Sequence, residues 1–386
     1  MENKSVRVFV TAKTLEKAAT SWFFSTYVLF LQSIGLSLLE ANLLNTIFMS
    51  ISTILDPFTG NWGDRIGQKR IYLLGILFWV MGHFTYGLAK VFLVCALAEG
   101  LSAVGKAFIS EALESWLRNQ TDEATTHKAL AQAEFWGKVA TAVPALLGGY
   151  IGSVWGLQWP WFFGAATGVV VWIIVQGLLK DVPDRETAVS KTTVDLNLWT
   201  ITKEAWRDPV LKQSFIAVAG LSACFQPFNM FWTVVFKNAS GSSAWLGTIW
   251  VGIALTGVLG GLLARKMKAN AKNLAIVVLS MGLPMLIPVI PGLWVLTNLI
   301  PFLTHEIGRS TWMPILFSYT NRRIKNEVRT SVNSLRSAAG TCGAAIGLLV
   351  SGILTTWLSP VQVWAISAAA LIIIAIWIWR WNHENI

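Results

Sequence analysis

The sequence predicts an all-α integral membrane protein with twelve membrane-crossing helices in two pseudo-symmetric bundles of six. Three observations carry this prediction. The chain of 386 residues is 54% hydrophobic and 13% charged, about half the charge of a soluble domain. Apolar runs of about 20 residues recur along it, the length that crosses a hydrocarbon core of about 30 Å as a helix. One long polar stretch, residues 180–210, divides those runs six and six.

In order, the spans are 17–38, 41–61, 71–89, 91–117, 129–153 and 158–179 in the first half, then 211–236, 244–264, 273–291, 292–319, 331–357 and 360–381 in the second. This gives an N-terminal bundle at 1–180, a linker at 181–210 and a C-terminal bundle at 211–386. The N-terminus, with Lys4, Arg7, Glu16 and Lys17, leads straight into the first span without a cleavable signal. Outer connections are very short, and Pro291–Gly292 and Ser359–Pro360 turn the chain almost at once. Within the linker, "VDLNLWTITKEAW" places apolar residues at helical spacing. It reads either as a short helix on the membrane surface or as a solvated connection.

The net charge of +10 raises the question of nucleic acid. The position of the cations answers it. With both termini cytoplasmic, only Lys90 and Lys237 of the 30 Lys and Arg residues fall outside, and Lys106, Lys138, Arg309 and Arg336 lie within spans. The rest lie on the cytoplasmic side, as the positive-inside rule requires. No nucleic-acid partner is expected; the lipid bilayer is. Cys95, Cys224 and Cys342 sit inside apolar spans at unrelated spacings, so neither a disulfide framework nor a zinc pattern follows. His305 has no second His or Cys spaced to join it in a metal site.

The connection after the second span reads "DPFTGNWGDRIGQKR". Gly60 and Gly63 allow close helix packing, Gly67 permits a tight turn, and Asp64 at the membrane edge requires a cation or helix-end donors. Arg65, Lys69 and Arg70 set orientation. The second half echoes it in "GLLARKMKANAK", where Arg265 stands at the position of Asp64. Weak internal repetition of this kind accompanies duplicated transporter folds.

Gly60, Asp64, Arg65, Gly67, Lys69 and Arg70 closely resemble the signature loop between spans 2 and 3 of the major facilitator superfamily, with Gln68 replacing one basic position. The resemblance covers the chain as architecture and about fifteen residues as motif, and points to the drug:proton antiporter-like branch. It implies alternating access, with this loop as a latch between the halves. Arg336, about two turns into span 11, is the candidate partner of Asp64.

Ionisable groups inside a membrane are functional candidates because each is costly unless paired or hydrated. Span 4 holds Glu99, Lys106, Glu111 and Glu114, with Glu99, Ser102, Lys106 and Ser110 near one face. Glu99, Lys106 and Glu111 are the proton-coupling candidates; the alternative for Glu99 and Glu111 is a structural role, tied to Lys106, Lys138 or backbone groups. Glu114 reads as structural, able to reach Arg118, and Glu134 and Lys138 read as mutually satisfying. In span 10, Glu306 and Arg309 are one turn apart, either as inert packing or as a substrate-facing pair. Gln226 and Asn229 flank Pro227, and Tyr27 and Trp136 add aromatic walls. A cavity lined by these groups suits small amphiphilic solutes. Span 5 ends "AVPALLGGY", a degenerate match to the exporter pattern of the superfamily.

The expected activity is proton-coupled efflux of a small organic solute at the plasma membrane by a monomer, with no enzyme activity and no cofactor beyond the proton gradient. No phosphate-cradling P-loop is present in the sequence. Symport uptake of a metabolite or anion is the rival within the class. A membrane-embedded enzyme or sensor is the rival outside it, and the scattered single charges argue against a clustered catalytic set.

Overall fold

The computed structural model describes residues 2–179, 198–289, 295–322, 324 and 329–381. Among the described residues the chain is all-helical: α1 Glu2–Thr20, α2 Tyr27–Ser33, α3 Leu38–Ile66, α4 Gln68–Leu88, α5 Phe92–Arg118, α6 Glu123–Val154, α7 Trp159–Leu178, α8 Leu198–Arg207, α9 Pro209–Ser240, α10 Leu246–Lys266, α11 Ala271–Gly282 continued by a 3-10 turn Leu283–Val289, α12 Val295–Asn321, α13 Arg329–Leu354 and α14 Pro360–Trp379. Nine segments among them are long and apolar enough to cross a membrane. The helices α1, α6 and α12, which carry polar and ionisable groups, are absent from those nine.

Three expectations need correcting. The first span begins fifteen residues earlier than its apolar run suggests, because Val8, Phe9 and Ala12 of α1 pack into a buried core with α4, α5, α6 and α7. That span then breaks at residues 21–26. There the backbone ladder tightens to Ser21→Ala18, Phe24→Ser21 and Thr26→Phe23, and the Ser21 and Thr26 hydroxyls donate to the same carbonyls. Such side-chain bonds compete with the helix ladder. The signature connection is also not a loop from Gly60 onward. Helix α3 runs through it to Ile66, and only Gly67, at φ +98°, separates α3 from α4. A positive φ costs glycine least. Within the linker, the helical spacing is realised as α8, whose Ala205 packs with Leu211, Phe215, Ile324 and Val332; residues 180–197 lie outside the described residues.

Contacts divide the chain into two compact units, Met1–Val189 with Ser240–Ala254, and Ser190–Ala239 with Leu255–Ile386. The same helix pairs recur in each. In the first, α4 packs on α5 and α7, α3 on α5, and α1 on α6. In the second, α11 packs on α12 and α14, Gly260 of α10 meets α12 at Ile307, and Gly343 and Gly347 of α13 meet α9 at Ala219 and Ala223. Glycines make these approaches possible, as small residues do between membrane helices. A Cβ on Gly148 of α6 would lie 1.8 Å from the Trp22 carbonyl oxygen, and one on Gly343 2.0 Å from that of Ala219.

Candidate functional site

Among the described residues of the first unit, Glu99 is a buried carboxyl with two hydroxyl donors. Gly82 of α4 admits the α5 backbone so closely that its Cβ would lie 2.8 Å from the Ala98 oxygen. That approach brings the next residue, Glu99, beside Tyr86 on α4. The break at residues 21–26 sets Tyr27 at the start of α2. Both phenols donate to Glu99 Oε1, Tyr27 at 2.7 Å and Tyr86 at 2.5 Å. Glu99 is 6% exposed, and these two donors offset only part of its desolvation.

An aromatic stack holds the phenols in place. Trp161 of α7 lies parallel to Phe23 at 4.0 Å and to Tyr86 at 4.1 Å. Tyr27 and Phe30 meet Trp161 edge-on, and His83, one turn before Tyr86, packs between Trp79 and Phe23. Each such pair adds about 0.5–1.5 kcal/mol beyond burial. The indole Nε1 of Trp161 and Nδ1 of His83 have no hydrogen-bond partner among the described residues.

The second unit places a different polar group in a similar aromatic setting. His305 of α12 is fully buried, its Nδ1 3.0 Å from the Met281 carbonyl oxygen. Phe225, Phe228 and Phe302 surround it, and Trp364 of α14 packs on Phe228 and Phe302 and donates its indole N–H to the Pro227 oxygen at 2.9 Å. One turn along, Arg309 bonds Glu306 at 3.1 Å and lies over the Phe225 ring. Glu306 is buried, while Arg309 is half-buried. Gln226 donates to the Ser222 oxygen at 3.0 Å and accepts from Asn229 at 3.4 Å.

The remaining sequence candidates are dispersed. Lys106 is exposed and lies over Phe48. Trp136 is 51% exposed and meets Phe135 edge-on. Arg65 is exposed. Arg336 is 1% exposed, with Nη1 3.4 Å from Asn321 Oδ1 and its plane over Phe317. The side chains of Asp64 and Glu111, and the surroundings of Gly60, lie outside the described residues. Glu114 and Arg118 are 3.6 Å apart as their spacing predicts. Glu134 and Lys138 are both exposed and form no ion pair among the described residues, because one helical turn brings side chains within reach without obliging them to meet. Sequence reasoning assigned Tyr27 to a cavity wall and Glu99 to coupling, whereas the structure bonds them together. It passed over Tyr86, Trp161 and His83, whose only signal was the i, i+3 spacing of His83 and Tyr86.

The profile of the family described as Major Facilitator Superfamily matches residues 15–336. Multidrug resistance protein 2 of Bacillus subtilis (strain 168) is 26% identical over 185 residues, 46% of each chain. Quinolone resistance protein NorA of Staphylococcus aureus (strain MSSA476) is 22% identical over 234 residues, 59% of this chain and 56% of its own. The chain thus spans about half the length of the curated relatives it matches. Among solved structures, the nucleoside transporter NupG is similar with a TM-score of 0.78 at 13% identity, over 97% of this chain and 98% of that one. The peptide transporter POT in complex with sulfate is similar at 0.75 and 12%, over 97% and 93%.

Proposed function

Given that the chain belongs to the Major Facilitator Superfamily, we propose that this multi-pass membrane transporter exports a small organic solute in exchange for protons. The Glu99 site is the observation that carries the reading. It is a buried carboxyl held through one oxygen by two phenols, which leaves Oε2 to take and give up a proton. A carboxyl in that setting is expensive in a static membrane helix, and such groups mark proton relays. Names of the relatives, multidrug and quinolone resistance proteins, favour outward transport.

In this reading the halves alternate access to a site between broken helices, with both termini cytoplasmic. Gly60, Asp64, Arg65 and Gly67 form the latch, and Arg336 answers Asp64 from the second half. Lys106 and Glu111 extend the coupling path along α5. Glu306 and Arg309, with Gln226, Asn229, Tyr27 and Trp136, contact the solute.

Proteoliposomes loaded with a quinolone and subjected to an imposed pH gradient test the assignment. Glu99→Gln is expected to keep downhill quinolone exchange and to lose accumulation driven by the gradient. Full gradient-driven accumulation by the variant removes Glu99 from coupling. The sign of the gradient that drives wild-type accumulation separates export from uptake.

A further inference from the structure

We propose that the connection between α10 and α11 is a binding site for the phosphate headgroup of an anionic phospholipid. A cavity of about 580 Å³ opens there, lined by Arg265, Lys268, Asn270, Pro314, Ser318 and Arg322 among others. Three of these side chains are cationic and none of the described lining residues is acidic. All three cations are exposed, and none forms an ion pair among the described residues. Like charges gathered in one cavity repel unless an anion joins them.

The cavity is held in shape by its own backbone. The Lys268 carbonyl accepts from the Asn270 N–H at 3.1 Å and from Asn273 Nδ2 at 2.9 Å. Asn270 caps α11 by accepting from the Asn273 N–H at 2.8 Å. The helix N-terminus adds partial positive charge on the same side. Arginine presents a donor fork that matches phosphate oxygens, and lysine adds a point charge.

The equivalent connection in the first half carries Asp64 where this one carries Arg265. The first connection therefore has an acid within its own sequence and the second has none between Arg265 and Lys272. An anion from outside the chain completes the second. Its source follows from the adjoining helix. Leu255, Leu259, Leu262 and Leu263 are exposed along α10 and lead directly to Arg265, giving acyl chains an apolar track that ends at the cations. A free phosphate would make no use of that track.

Native mass spectrometry of the full chain in detergent, titrated with phosphatidylglycerol, phosphatidylcholine or inorganic phosphate, decides the matter. Phosphatidylglycerol is expected to stay bound where phosphatidylcholine does not. The triple variant Arg265→Gln, Lys268→Gln, Arg322→Gln should lose on the order of a hundredfold in phosphatidylglycerol affinity, at roughly fivefold for each basic residue. Its melting temperature without lipid should match wild type, since the three side chains are exposed. Arg265→Lys should retain binding. Equal retention of phosphatidylglycerol by the triple variant overturns the site. Displacement of phosphatidylglycerol by an equal concentration of inorganic phosphate overturns the lipid assignment.

Discussion

Trp161 and Trp364 stand at matching places in the two halves of the chain, near the starts of α7 and α14, and each lies in a cage of aromatic rings. Their surroundings part at the polar centre. In the first unit the cage ends on Glu99, with two phenols donating to one carboxyl oxygen. In the second it ends on His305, seated on a backbone carbonyl, with the Glu306–Arg309 pair one turn away. The first centre is a carboxyl without an adjoining cation among its hydrogen-bond partners; the second carries its own counter-charge. A shared scaffold therefore holds two different polar centres, because the close helix contacts are made at glycines while each centre is set by one or two side chains.

The strongest test of the shared scaffold is to fill its closest contacts. Gly148→Ala and Gly343→Ala each force a methyl group against a backbone carbonyl that has no rotamer to escape into. Each is expected to cost more than about 3 kcal/mol, read as loss of folded protein in detergent thermal denaturation. If one substitution is tolerated and the other is not, the two units are not built on the same contact.

A smaller effect should separate the polar centres. Arg309→Ala leaves buried Glu306 without its cation. Breaking a fully buried pair costs about 3–5 kcal/mol; Arg309 is 32% exposed, so roughly half of that is expected after solvent screening. The measurement is again thermal denaturation, with Arg309→Lys restoring most of the loss. A neutral Arg309→Ala would show that the second centre does not depend on its own counter-charge.

The scaffold was legible in the sequence because apolar run length and the placement of cations respond directly to a bilayer. The connection after the second span was located from residue spacing, although its helical backbone was not. A string containing two glycines, Asn and Asp reads as a turn, and only the protein context continues α3 to Ile66. Glu99 was legible as a group that must find partners for a similar reason: a carboxyl inside an apolar run is costly unless it is hydrogen-bonded or paired. Its partners were not. Tyr27, Tyr86 and Trp161 come from three helices, and nothing in local periodicity says which aromatic residues meet. The start of α1 was missed because Val8, Phe9 and Ala12 sit among charged neighbours, so their burial depends on helices more than fifty residues away.

The finest comparison replaces each tryptophan by phenylalanine. Trp161→Phe keeps an aromatic face between Phe23 and Tyr86 and deletes a buried N–H that has no partner among the described residues. Trp364→Phe also keeps a face toward Phe302, but removes the donor to the Pro227 oxygen. That oxygen lies in α9 at a proline, where the ring has already taken one N–H out of the ladder. Both variants lose similar packing volume, so their difference isolates the indole hydrogen bond. Trp364→Phe should be less stable than Trp161→Phe by about 1–2 kcal/mol in parallel detergent melts. Equal losses would mean that the indole bond to the Pro227 oxygen contributes nothing, and that the two cages differ in their polar centres alone.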